Sequence, residues 1–504
     1  MTSSVLGSSI ATFALVVLGA ASTSACDRIS GTDEQPSPLV NDGGQDRRCR
    51  PPSAQNASGP NRAPALKVRS VLTLTGPASE MAIPYSFAIH DYFRELNESG
   101  GIRGCPIDYD LRDDAYDVTK AQAIWDLWKA APDWDEVVQV MTWGDDATLN
   151  LSPQATQEGK PLVSGSHAGL LASPRPIDVI VDVPDVGANF QEALLPQQFK
   201  SPGFPNNFFA STDDSTSARG AVFHVRQNQA KRLGFFYCNT AAFCRRPSPA
   251  AHAYAREIGL PIGRDLFLEP NEDEASYREK IRYYFRGEID YKKSHPDYDM
   301  VDWVWVGSSP RAMALIAKAV ASVQQELRAS MPNPIQLIAN ERAFDEGLYA
   351  RCGAACVGNV HGALPSLAFG DMSYPSREMP KVVALYDKWR TIDGSGSRAV
   401  FADGVSLDAR TVNYVKGYVS ALVFRMAVER VLDAGKTVTA QNVKEAYESF
   451  ASVGTGGLTE NLAFRPEDHR PQGTVYVYKF SPAGELLSEP PPRLTKLDRS
   501  WLGW

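Results

Sequence analysis

Residues 74–128 read LTGPASEMAIPYSFAIHDYFRELNESGGIRGCPIDYDLRDDAYDVTKAQAIWDLW, and this stretch decides the fold. A strand end is followed by a Gly-Pro turn, an amphipathic helix and a Gly-Gly stop. A second strand ending in acids and a second helix complete the unit. Parallel strands joined in this way expose backbone N–H groups and short polar side chains at their carboxyl ends. An open α/β sheet captures small molecules at that edge.

The same rhythm extends in both directions. Residues 66–74, LKVRSVLTL, form the first predicted strand, and 107–111 the second. Helix 117–130, strand 137–141, helix 148–158 and strand 161–164 follow. A Pro-rich stretch, 170–207, interrupts the alternation and has no assigned place. It resumes with helix 218–229, strand 232–237, helix 247–258, strand 265–268 and helix 274–285. Next come strand 300–306, helix 310–329 and strand 334–339. Two long helices, 409–435 and 440–450, precede a last strand pair at 462–464 and 474–480. Such a series demands mostly parallel sheets with helices on both faces.

The chain has 504 residues, enough for two or three domains, and its 43% hydrophobic content supports a sizeable core. Net charge is −8 with no long Lys/Arg run, which argues against nucleic acid or an anionic membrane surface as partner. Residues 1–25 read as an export signal: a short apolar stretch at 10–21, then small residues 22–25. Cys26 follows directly, and TSAC resembles a bacterial lipoprotein box, which makes Cys26 the expected lipidation site. Secretion after cleavage at Ala25 is the alternative. Residues 26–64 are rich in Ser, Pro, Gly, Asn and Asp and read as a flexible tether.

Seven cysteines suit an oxidising compartment. With Cys26 lipidated, six remain. Spacing pairs Cys238 with Cys244 and Cys352 with Cys356, each closing a short loop, and leaves Cys49 with Cys105. A zinc site is the rival reading, but there is no Cys-x2-Cys pair and the seven His are scattered.

The order of pieces in 74–128 resembles the first lobe of type I periplasmic binding proteins, in particular the leucine/isoleucine/valine-binding branch of ABC-importer substrate-binding proteins. The segment 457–480, GLTENLAFRPEDHRPQGTVYVYKF, resembles that family's closing segment. The resemblance spans roughly residues 65–485 and implies two Rossmann-like lobes joined by three chain crossings. These fall near 209–213, Asn333 and Val453. Lobe 1 is then 65–208 with 334–452, lobe 2 is 209–333 with 453–486, and 487–504 is a C-terminal tail. The implied ligand lies between the lobes, touched by strand-end loops and helix N-termini.

Met81 stands by order where the family covers the ligand side chain with an aromatic; it is otherwise a core Met. After the third strand, Trp143 either stacks on a ligand or fills the core. Asp146 stands near a family hydroxyl that binds a carboxylate, so Thr148 serves instead or the ligand differs. Asp145 or Asp146 as a cap of the following helix is the plainer reading. In the next loop Ser164, Ser166 and His167 offer hydroxyls and an imidazole. In the second lobe Phe243 replaces a family Tyr. Glu274 lies near the family acid that pairs with an α-ammonium, with Glu272 and Asp273 as rivals.

Catalytic signatures are missing: there is no His-Glu-x-x-His, Gly-x-Ser-x-Gly, Gly-x4-Gly-Lys or complete Gly-x-Gly-x-x-Gly. The sequence therefore reads as a binding protein, not an enzyme, with neither cofactor nor metal. The expected role is capture of a small polar organic solute, an amino acid or related compound, by an extracytoplasmic monomer. Delivery would be to an ABC permease in the inner membrane, and membrane contact only through the lipid anchor. A tethered sensor or interaction domain of the same fold is the alternative.

Overall fold

The computed structural model describes Cys49 and residues 65–504, apart from 188, 189, 191, 392, 393, 397, 398, 401–405 and 491–496. The export signal, Cys26 and, Cys49 excepted, the tether lie outside the described residues.

Two parallel-stranded sheets organise the chain. The first contains β1 (Leu66–Leu72), β2 (Ile107–Asp113), β3 (Val137–Thr142), β4 (Leu162–Ser164) and β7 (Asn207–Phe209), in the order β2-β1-β3-β4-β7. All its pairings are parallel. β3 and β4 are buried along their length, as expected of strands covered on both faces. Helices α1 (Ser79–Glu98), α2 (Val118–Lys129) and α3 (Asp145–Gln157) alternate with these strands. One core beneath α2 and α3 contains Val71, Trp125, Trp134, Val140 and Leu151.

The segment 170–207 is a long antiparallel hairpin, β5 (Ile177–Val186) with β6 (Glu192–Ser201). It leaves the first lobe between β4 and β7. It packs on α6 (Ser248–Glu257) and β9 (Ile262–Phe267) of the second lobe. Near its tip Phe190 stacks on Tyr291, ring centroids 4.4 Å apart. The hairpin is therefore a strap running from one lobe onto the other.

The second sheet adds β8 (Leu233–Tyr237), β10 (Trp303–Gly307), β11 (Gln336–Ala339) and β12 (Val360–Leu364) to β9. After the two-residue strands β13 (Ala399–Val400) and β14 (Ser406–Leu407), the chain returns to this sheet. It does so as β15 (Tyr476–Phe480) and β16 (Leu486–Glu489). The order is β16-β15-β12-β11-β10-β8-β9, with β15 and β16 antiparallel. Helices α4 (Asp214–Gln227), α5 (Ala242–Arg245), α6, α7 (Glu274–Ser294), α8 (Pro310–Glu326) and α9 (Leu348–Cys352) belong with it. The core under α4 and α6 includes Val222, Phe235, Trp305, Ile338 and Val475.

Three expectations are corrected. The middle crossing does not fall at Asn333, because β11 and β12 pair parallel inside the second sheet. The chain leaves only after Leu364, to build α10 (Met379–Tyr386), α11 (Val412–Asp433) and α12 (Ala440–Glu448) against α1 and β3. The last strand pair is β15 with β16, whereas Leu462 makes only an isolated bridge to Val453. Part of the expected tail, as far as Glu489, is thus sheet edge.

All three cysteine pairings stand at bonding distance, with Cα–Cα separations of 6.1, 5.3 and 5.7 Å for Cys49–Cys105, Cys238–Cys244 and Cys352–Cys356. Among the described residues, no helix is long and apolar enough to cross a membrane.

Candidate functional site

At the carboxyl ends of the first-sheet strands, two helices start on acids. Gly144, at φ +91°, makes the turn that lets α3 begin at Asp145. Asp213 caps α4 by accepting from Thr216 N at 2.9 Å, and Asp214 opens that helix. Carboxylates in a first turn face the positive end of the helix dipole. Asp145 belongs to the first lobe and Asp214 to the second.

Arg342 lies between them. It follows β11 in the loop Asn340-Glu341-Arg342 and is buried. Its Nη2 is 3.0 Å from Asp145 Oδ1 and 3.3 Å from Asp214 Oδ2. The Trp143 ring centroid is 5.7 Å from its guanidinium carbon, so an indole covers part of the cation. Gly165 makes room: a Cβ there would stand 2.6 Å from Trp143 Cδ1.

Glu341, also buried, reaches the first lobe by a second route. His167 Nδ1 is 3.2 Å from Glu341 Oε1, and Lys416 Nζ of α11 is 3.5 Å from the same oxygen. Ser211 Oγ is 3.2 Å from the His167 ring. At the rim, Arg246 of the second lobe reaches Asp146 Oδ1 at 3.2 Å and Asp145 Oδ2 at 3.7 Å. Tyr116, in the left-handed region at φ +61°, sets its ring against Gly144.

Burial dominates the proton affinities. It pushes the Asp214 carboxyl well above the usual range, against the pull of Arg342. Burial would also raise Glu341, but Lys416 and then His167 hold it well below the usual carboxylate value. The His167 ring is lowered by burial, so it stays neutral despite Glu341. Burial lowers Lys416 as well.

Although charges alternate across the gap, several buried atoms have no hydrogen-bond partner. They are Asp145 Oδ2, Asp214 Oδ1, Arg342 Nε and Arg246 Nη1. Asp145 Oδ2 and Arg246 Nη1 face each other as an ion pair at 3.7 Å, and Arg342 Nε stands 3.9 Å from Glu341 Oε1, so these groups are paired by charge but not by hydrogen bonds. Buried polar atoms ordinarily find partners.

The structure sorts the sequence-derived candidates. Trp143, Asp146, Ser166 and His167 belong to the cluster; Ser166 donates to Asp145. Ser164 supports it from beneath, accepting from Ser166 N at 2.9 Å. Thr148 is spent inside the lobe, donating to Gly144 O at 2.7 Å, because a helical hydroxyl four residues on finds that carbonyl. Met81 is buried in the first turn of α1. Phe243 packs with the Cys238–Cys244 bridge rather than in the cluster. Glu274 is exposed on the first turn of α7 and takes no part in the cluster's ion pairs. Its neighbours are committed locally, Asp273 to Ser276 N and Glu272 to Lys280.

Asp145, Asp214, Glu341, Arg342, Lys416 and Arg246 were not candidates from sequence. Glu341 and Arg342 follow a strand and obey the same edge rule as residues 164–168. That signal was present.

Residues 66–283 match the family model described as periplasmic binding protein. No curated protein matches the chain. A substrate-binding protein of an ABC transporter from Aeropyrum pernix is 22% identical with a TM-score of 0.64, over 85% of this chain and 95% of that one. A branched-chain amino acid ABC transporter protein from Thermus thermophilus, with bound valine, is 17% identical. Its TM-score is 0.61, over 85% and 96%. A fatty acid ABC transporter substrate-binding protein from Thermomonospora curvata is 16% identical, with a TM-score of 0.60 over 84% and 91%. Residues 66–283 are thus similar to the periplasmic binding protein family, and the chain has the fold seen in these ABC-transporter substrate-binding structures.

Proposed function

We propose that this protein is an extracytoplasmic solute receptor that takes a small zwitterionic solute, an amino acid or a related compound, between its lobes for an ABC permease. The observation that carries this reading is the buried interlobe cluster of carboxylates and guanidinium groups. In it Asp145 Oδ2, Asp214 Oδ1, Arg342 Nε and Arg246 Nη1 make no hydrogen bond, and the closest charge contacts of Arg246 Nη1 and Arg342 Nε are long, 3.7 and 3.9 Å. An ammonium suits the two oxygens and a carboxylate the two nitrogens. The exchange has a cost, because the cluster's charges already pair with one another across the gap. A solute is admitted only by replacing some of those pairs, and one bearing both charges does so without stranding either sign. The solute then stabilises the closed form that these pairs already favour, by contacts with both lobes. A lipid on Cys26 and the tether to residue 64 would hold the monomer near its permease.

The test is thermal-shift and calorimetric titration of folded protein against amino acids, amines, carboxylates and neutral amides matched in size. Zwitterions are expected to raise the melting temperature and to bind with one site per chain, and single-charge analogues to bind at least about tenfold more weakly. A second reading rests on the cross-lobe ion pairs themselves, which close the gap with the protein's own side chains. In it, the fold serves as a tethered sensor or interaction domain without transport. A panel with no hit on folded protein supports that reading and overturns the first.

A further inference from the structure

Away from the interlobe gap, two imidazoles and one carboxylate converge in the second lobe. His361 projects from β12, Glu489 from β16 and His224 from α4. His224 lies ten residues along α4 from Asp214, about 15 Å at helical rise. His361 Nδ1 is 2.8 Å and His224 Nε2 3.3 Å from the same oxygen, Glu489 Oε2. One ligand atom from each of the three residues falls within a 4.8 Å group. Side-chain exposures are 6% for each histidine and 15% for Glu489, so the group is largely buried with one side toward solvent.

The surroundings orient these atoms. Asn228 Nδ2 donates to His224 Nε2 at 3.1 Å, a hydrogen bond that an ion bound there would displace. Gln336 Oε1 lies 3.1 Å from His361 Nε2, so an Nε2–H donated there leaves the Nδ1 lone pair facing Glu489. In that tautomer the Nδ1 lone pair and the Glu489 oxygen, 2.8 Å apart, are two electron-pair donors that a cation would bridge. Lys479 Nζ holds the other carboxylate oxygen, Oε1, at 2.7 Å, which leaves Oε2 for the histidines. Trp303 packs on both rings, with centroids 4.9 Å from His361 and 6.1 Å from His224. A held imidazole, a held carboxylate and an apolar wall are the supports that metal ligands use.

We propose that His224, His361 and Glu489 bind a borderline divalent cation of the zinc class, through His224 Nε2, His361 Nδ1 and Glu489 Oε2. Two nitrogens and one oxygen suit such an ion better than calcium or magnesium, which take oxygen ligands. Water from the solvent-facing side would complete the coordination. Bound there, the ion ties the edge strand β16 and helix α4 to β12. The other convergent trio, His167, Asp214 and Glu341, faces two buried cations, Arg342 and Lys416, where the Glu489 trio faces only the half-exposed Lys479, so a metal ion is opposed more strongly there.

The test uses the full chain, without a histidine tag, stripped with chelator and titrated with Zn2+ and with Co2+. Expected are one ion per chain, a raised melting temperature, and two imidazole nitrogens in the first shell by zinc-edge X-ray absorption. Glu489→Gln and His361→Gln, each checked for folding by circular dichroism without metal, should weaken binding at least about tenfold. The absorption measurement on unaltered protein decides the matter even where a variant does not fold. No stoichiometric ion overturns the proposal, and so does undiminished binding by both variants. Loss of the ion on His167→Gln alone would overturn it too, by moving the site to the gap.

Discussion

Arg342 joins Asp145 of one lobe to Asp214 of the other. Arg342→Ala leaves Asp145 and the charge on Glu341 short of a cation in a buried setting, with a destabilisation of about 3–5 kcal/mol expected in urea unfolding. His167 carries a pH signature. Above 6.5, its ordinary pKa, folded and unfolded rings are both neutral. Below that value the unfolded ring takes a proton while the buried ring, with its lowered pKa, resists. Unfolding then binds more protons, so stability falls as pH falls. His167→Gln should remove that part of the decline between about pH 7 and 5.5, measured as urea midpoints against pH. At this scale the sequence exposed half of the cluster. Trp143, Asp146, Ser166 and His167 sit in loops after strands already assigned to one lobe. Glu341 and Arg342 obey the same edge rule after the strand at 334–339, but two adjacent charges there read equally well as solvated surface. Only the pairing of β11 beside β10 turns them into the gap.

Among the elements, α1 and α11 set the body of the first lobe, and their closeness depends on Gly417. A Cβ at that position would stand 2.2 Å from Tyr85 O. The neighbouring hydrogen bond, Tyr85 Oη to Ser420 Oγ at 2.9 Å, fixes the same approach. Gly417→Ala should therefore force the helices apart and cost about 1–3 kcal/mol, visible as a lower denaturation midpoint. Strand and helix order was legible because alternating apolar runs separated by turn signals carry it. What escaped was non-local. The sheet that receives β11 and β12 is chosen by tertiary pairing, and an exposed apolar hairpin such as β5–β6 has no periodic partner in the sequence. That hairpin leaves Ile180 66% and Leu194 44% exposed, a ribbon whose packing on α6 and β9 appears only in three dimensions. Its course over the second lobe adds a contact that any opening of the lobes must stretch or carry along.

For the whole molecule, the account rests on two bodies drawn together by exchangeable charge pairs: Arg342 with Asp145, Glu341 with His167 and Lys416, and Arg246 with Asp146. Hinged closure of this kind responds to whatever binds the closed form better than the open one. The most direct measurement is the distance between spin labels carried by unnatural amino acids at Leu127 of α2 and Tyr283 of α7, exposed on opposite lobes. It is read by pulsed electron resonance in the unaltered chain and in a Glu341→Gln, Arg342→Met double variant. The account predicts a single short distance in the first. In the second it predicts a broadened or longer distribution, with both samples folded. Identical distributions would contradict it, because the lobes would then be one rigid body and the charge pairs no latch at all.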